Sequence, residues 1–108
     1  MNASWSARLD AKSEGSAKRI LERFEALFGV SPLDVHLEEH HDGGYTANFD
    51  LSLDSERWSD AVYEAIELGE RVGYGWRLAG SVLDSPEAHC TEIRIPGVLS
   101  ASWLLAKS

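Results

Sequence analysis

The stretch LDVHLEEHHDGGYTANFDLSL, residues 33–53, carries the clearest structural signal in the chain. Apolar and polar side chains alternate from Leu33 to Leu37, and the alternation resumes from Tyr45 to Leu53. A period of two is typical of strands with one buried face, and a Gly-Gly pair between two such runs indicates a hairpin. The sequence therefore predicts two antiparallel strands joined by a tight turn.

The side chains that face each other across this hairpin predict its register, because directly opposed residues share a face of the sheet. A two-residue turn would set Val35 against Ser52, an apolar residue against a polar one. A three-residue loop, residues 42–44, sets Val35 against Leu51 instead. We therefore predict the three-residue loop.

Two stretches have the 3.6-residue apolar period of an amphipathic helix. The first runs from Ala17 to Phe28 and ends at Gly29, and the second runs from Trp58 to Val72. Short polar side chains that accept backbone hydrogen bonds are preferred at the first residue of a helix. The candidates for this role are Ser13 or Ser16 in the first helix and Asp54 or Ser55 in the second.

Further alternation follows the second helix. It predicts strands at residues 76–82 and 90–95. Residues 102–105 fit a fifth strand better than a short helix, because Trp103 and Leu105 would share one face.

These elements predict one α+β domain over residues 1–108. Its order is α-β-β-α-β-β-(β), with two helices packed on one face of an antiparallel sheet of four to five strands. Residues 1–12 show no clear period, and we expect them to be partly disordered.

The composition favours a cytoplasmic protein. No apolar run approaches the roughly 20 residues that a membrane helix needs. Residues 1–5 lack the basic and apolar regions of a signal peptide. Cys90 is the only cysteine, so no internal disulfide can form, which fits a reducing compartment.

Acidic residues are concentrated in the middle of the sequence. The net charge is −8, and eleven acidic residues but one basic residue lie between Asp34 and Glu70. Such a field repels nucleic acid and anionic membranes and attracts basic proteins, although it also suits a surface that is merely well solvated. The candidate partner-binding residues are Asp34, Glu38, Asp42 and Asp50 on the hairpin and Asp60, Glu64, Glu67 and Glu70 on the second helix.

The segment from His36 to His40 matches H-x-x-E-H, a zinc-peptidase pattern that requires a helix. On the predicted strand the two histidines are about 13 Å apart, at roughly 3.3 Å per residue, and would face Asp50 and Thr46 on the solvent side. No phosphate-binding loop or serine-nucleophile motif is present. We therefore expect no metal site, no cofactor and no catalytic activity.

The size, acidity and α+β layout resemble small bacterial immunity proteins of polymorphic-toxin and contact-dependent-inhibition systems. The stretches LGERVGYGWRLAGSV, residues 68–82, and IRIPGVLSASWLLA, residues 93–106, have the look of small bacterial proteins. The resemblance implies a non-catalytic protein that neutralises a basic toxin or nuclease through an acidic surface.

Three alternatives remain open at this point. A nucleic-acid mimic of an anti-defence type would need carboxylates spaced like phosphates along one stripe. A homo-oligomeric adaptor, such as a homodimer, would need an apolar patch, for which Leu83 and Leu104 are the candidates. A small metal-dependent enzyme would need a concave pocket that gathers His36, His40, His89 or Cys90.

Overall fold

The computed structural model describes residues 1–106, which form two helices and eight strands. The helices are α1 (Glu14–Phe28) and α2 (Trp58–Val72). The strands are β1 (Asn2–Leu9), β2 (Leu33–Glu39), β3 (Tyr45–Ser52), β4 (Gly73–Tyr74), β5 (Arg77–Ala79), β6 (Glu87–Cys90), β7 (Glu92–Ile93) and β8 (Val98–Leu105). The α+β class is confirmed.

The main sheet is larger than the four to five strands that we predicted. Six strands follow one another in the order β2-β3-β1-β8-β6-β5, while β4 pairs with β7 in a separate ladder. Neighbouring strands of both sheets are antiparallel. Within residues 1–106, no helix is both long enough and apolar enough to cross a membrane.

The central strand of the sheet, β1, comes from the segment expected to be partly disordered. It pairs with β3 on one side and with β8 on the other. The structure thus corrects the expectation for residues 1–12. The strand does alternate, with Ala3, Trp5, Ala7 and Leu9 buried, but its alanines are too small to give a strong apolar signal.

Trp5 lies at the centre of the hydrophobic core, with 2% of its surface exposed. Its ring stacks on Phe49, with the centroids 6.0 Å apart. It meets the edges of Phe28 at 5.0 Å, Trp76 at 5.5 Å and Phe24 at 6.4 Å. Aromatic pairs at these separations stabilise a core beyond the area that they bury.

Both helices pack on the same face of the main sheet. Trp5 is paired in register with Trp103 of β8, so the two side chains share that face. Phe24 of α1 contacts Trp5, and Gly69 of α2 lies so close to Trp103 that a Cβ atom there would be 3.2 Å from the indole nitrogen. The other side of the sheet, which we call the open face, is lined by small polar residues such as Ser102.

The ends of α1 agree with the sequence-based prediction. The Ser13 hydroxyl accepts a hydrogen bond from the Ser16 N–H at 3.1 Å, and the Gly29 N–H donates to the Glu25 carbonyl. The start of α2 differs, because Arg57 occupies the first position without a side-chain cap.

The later strands are shorter and more broken than predicted. The strand expected over residues 76–82 is reduced to Arg77–Ala79, since a hydrogen-bonded turn begins at Ser81. The strand expected over residues 90–95 is divided between β6 and β7, which belong to different ladders. The preference for a strand over a helix near the C-terminal end is confirmed by β8.

Candidate binding surface

The hairpin of β2 and β3 forms one end of the sheet, with a longer loop than we predicted. Glu39 pairs with Tyr45 and Leu37 with Ala47, so five residues, 40–44, connect the strands instead of three. The two registers differ by two residues, which leaves the side chains of residues 36–39 on their predicted faces.

A bulge in β2 interrupts the predicted alternation. The register shifts between Leu33 and His36, so that Asp34 and Val35 together oppose Phe49. Asp34 has a φ of 49°, a left-handed conformation that aspartate tolerates better than most residues. Leu33, Val35 and Leu37 therefore do not all lie on one face of the sheet, contrary to the prediction from the alternating pattern.

As the edge strand of the sheet, β2 is open to solvent. Only Leu37 packs partly against the core, and Leu33 and Val35 each remain 43% exposed. The strand and its loop also present exposed carboxylates. We call this set the acidic edge, and it consists of Asp34, Glu38, Glu39 and Asp42.

The acidic edge includes three of the four hairpin residues predicted from the sequence. The Asp42 side chain is 82% exposed and lies 3.7 Å from Arg8, the one ion pair of this edge within residues 1–106. Asp50 is not part of the edge, because it is half-buried on β3 and pairs with Ser4 on the open face.

Sequence reasoning missed Glu39, which was not among the candidate partner-binding residues. Burial, followed by the negative charge of Glu39, raises the pKa of the Tyr45 hydroxyl, and the hydroxyl hydrogen-bonds to the Glu39 carboxylate. The phenol thus gives this carboxylate a hydrogen-bond donor beside the loop. Arg8 was missed as well, because β1 was not predicted.

The four acidic residues predicted on α2 differ in their contacts. Glu67 is 3.0 Å from Arg71, which also donates a hydrogen bond to the Phe28 carbonyl and so joins the two helices. Asp60 and Glu70 are exposed. The fourth residue, Glu64, is engaged in holding the turn before the helix.

The Glu64 carboxylate fixes the turn that both candidate capping residues occupy. It accepts hydrogen bonds from the Asp54 N–H at 2.9 Å, the Ser55 N–H at 3.0 Å and the Ser55 hydroxyl at 2.7 Å. Burial by itself raises the pKa of this carboxyl, but the hydrogen bonds outweigh burial and hold the pKa below its ordinary value of 4.5. The prediction that Asp54 or Ser55 caps α2 is wrong, because the helix begins at Trp58 and Arg57 occupies the capping position.

We expect Glu64→Gln to lower the free energy of unfolding by about 1 kcal/mol at pH 7, because an amide cannot accept all three hydrogen bonds. A carboxyl whose pKa is depressed by folding stabilises the fold above pH 4.5, and this contribution is lost as the pH falls through the folded-state pKa. The difference between variant and wild type should therefore shrink below pH 4.5 in urea denaturation. The control is Glu67→Gln on the same helix. If both variants lost the same free energy of unfolding at pH 7, the role of the Glu64 carboxylate in holding the turn would be contradicted.

The histidines of the H-x-x-E-H pattern are part of the hairpin. His40 Nε2 is 2.6 Å from Thr46 Oγ1, the predicted facing residue, whereas His36 is opposite Asn48 rather than Asp50. Within residues 1–106, no three His, Cys, Asp or Glu side chains form a group that could hold a metal ion.

The remaining sequence candidates lie apart from the acidic edge. His89 is exposed near Glu87, while the neighbouring Cys90 is buried with its thiol 3.1 Å from the Tyr74 carbonyl. The two side chains thus point to opposite faces of β6. Leu104 is 41% exposed on β8, and Leu83 is 73% exposed in the turn that follows β5.

Comparison with protein families, characterised proteins and solved structures gives no match for this chain.

Proposed function

We propose that this protein is a non-catalytic inhibitor of the immunity-protein kind, which binds a basic toxin or nuclease domain in the cytoplasm through the acidic edge. The observation that supports the proposal is an exposed edge strand with clustered carboxylates. There is no lysine or arginine from residue 30 to residue 56, so the chain itself supplies few cations to this region. Charge of this kind raises the rate of association with a basic partner more than the final affinity.

The acidic edge is a better docking surface than the outer side of α2. Within residues 1–106, each surface has two engaged carboxylates, which are Glu64 and Glu67 on α2. On the acidic edge they are Glu39 and Asp42. Of the two surfaces, only the acidic edge adds the open backbone of an edge strand to its charges. The engagement of Glu64 and Glu67 also counts against a nucleic-acid mimic, which would need an uninterrupted row of available carboxylates on that helix.

Two double variants with equal charge change test which surface docks. Asp34→Asn/Glu38→Lys alters the acidic edge, with asparagine chosen because it tolerates the left-handed backbone at this position. Asp60→Asn/Glu70→Lys alters α2. We expect the first variant to slow association with the partner about tenfold at low ionic strength and the second to have a much smaller effect, with the difference fading as salt is added.

The partner can be obtained with the purified protein as bait in a lysate of its native host that has been treated with nuclease. A stoichiometric basic protein that salt releases, and that is toxic when it is expressed alone, is the expected result. Stopped-flow or biosensor kinetics then compare the two variants. Equal slowing by both variants, or association that is insensitive to salt, would remove the acidic edge from the interface.

A further inference from the structure

The outer side of β2 has backbone groups that no other strand of the described chain uses. His40, the residue after β2, donates its N–H to the Gly44 carbonyl at 3.1 Å. This bond identifies which residues of β2 have backbone groups that point toward β3. In an antiparallel pair, residues that bond to the neighbouring strand alternate with residues that do not. The N–H and C=O groups of Leu37 and Glu39 therefore point away from β3, toward solvent.

This edge is the long open edge of the main sheet. The opposite edge is β5, which has three residues, whereas β2 has seven. An open row of backbone donors and acceptors is a template for an added strand. The side chains beside the row determine which strand can be added.

The charges of β2 argue against a second copy of this chain as that strand. Pairing two β2 strands would gather six carboxylates, those of Asp34, Glu38 and Glu39 from each copy, along one pair of strands, and this concentration of like charge opposes their association. A basic strand would replace this repulsion with an attraction. Val35, 43% exposed, and Leu37, partly buried, offer an apolar strip to the same strand.

We propose that an extended basic segment of the partner adds to the main sheet beside β2. It carries lysine or arginine opposite Glu38 and Glu39 and aliphatic residues opposite Leu37 and Val35. The backbone groups of Leu37 and Glu39 supply the hydrogen bonds, and the carboxylates select the sequence. This inference rests on the proposed function and specifies the partner's binding element as a strand.

The probe is the acetylated and amidated heptapeptide KKVTVKK, which reads the same in both directions and so fits either strand orientation. Its matched control carries N-methyl groups on both valines, which removes two backbone donors but keeps every charge and side chain. Binding is followed by amide hydrogen exchange and by heteronuclear NMR titration of the full chain. We expect exchange to slow at least about tenfold at the Leu37 and Glu39 amides and to change little at the His36 and Glu38 amides, which already bond to β3.

The control peptide should bind about tenfold more weakly, as expected for the loss of two hydrogen bonds. Equal binding of both peptides, or no protection at Leu37 and Glu39, would overturn strand addition, and so would failure of KKVTVKK to bind at millimolar concentration. None of these results affects the proposed function, which the charge variants and the natural partner test separately. Conversely, peptide binding that persists in Asp34→Asn/Glu38→Lys would overturn the role of the carboxylates in selecting the strand.

Discussion

Trp5→Ala is expected to lower the free energy of unfolding by about 3–5 kcal/mol, because it removes the largest side chain of the central strand from the core. Four aromatic rings contact this indole, and a cavity at that position cannot close without moving both α1 and β3. Small domains are stable by only about 5–15 kcal/mol, so the variant should be near the limit of folding at 37 °C. Guanidinium denaturation followed by circular dichroism measures the loss.

Trp5→Phe refines this prediction. Within the described chain the Trp5 indole N–H is buried without a hydrogen-bond partner, and phenylalanine removes that unpaired donor. We expect a loss of only about 1 kcal/mol, since the relief offsets part of the lost packing. Tyr63→Ala, at a 68% exposed aromatic residue of α2, is the control and should change stability by less than about 0.5 kcal/mol. If Trp5→Ala were as mild as Tyr63→Ala, β1 could not be the central strand.

Gly44→Ala is expected to lower the free energy of unfolding by about 3 kcal/mol, well beyond the effect of the same change at Gly43. Both glycines have positive φ angles, 85° and 94°, which cost any other residue about 1–2 kcal/mol. A Cβ atom at Gly44 would in addition lie 2.8 Å from the Leu9 carbonyl oxygen, whereas nothing lies within 4 Å of one at Gly43. The difference between the variants therefore measures how closely the hairpin loop packs on β1.

Thermal and urea denaturation of both glycine variants check this prediction. Equal losses of unfolding free energy in the two variants would mean that the backbone conformation alone accounts for the effect and that the loop does not pack closely against β1. A loss at Gly43 larger than that at Gly44 would contradict the described packing.

The sequence predicted those parts of the fold whose signal is local. The caps of α1 at Ser13 and Gly29 were correct because a capping residue acts on the first or last turn of its own helix. The alternation from Tyr45 to Leu53 was correct because large apolar side chains mark the buried face. The role of Glu64 was not predicted, because its partners lie nine and ten residues away and no local pattern connects them.

The features that determine the candidate site depend on distant parts of the chain. Nothing within residues 33–53 shows that β2 is an edge strand, because that follows from β1 pairing with the other side of β3. The bulge at Asp34 was missed because aspartate also fits an ordinary strand position on the solvent side. Charge alone identified three residues of the acidic edge, but it could not separate them from Glu64 and Glu67, whose carboxylates are engaged elsewhere.

The central position of β1 also has a consequence for synthesis of the protein in the cell. β1 can pair with β3 as soon as β3 has left the ribosome, but its other edge waits for β8, since Trp5 is paired with Trp103. At about 5–20 residues per second, translation from the end of β3 at Ser52 to the end of β8 at Leu105 takes roughly 3–11 seconds. During that time the nascent sheet exposes the edge of β1 that later pairs with β8. Chaperones that bind exposed apolar strands therefore have time to reach this edge before β8 covers it.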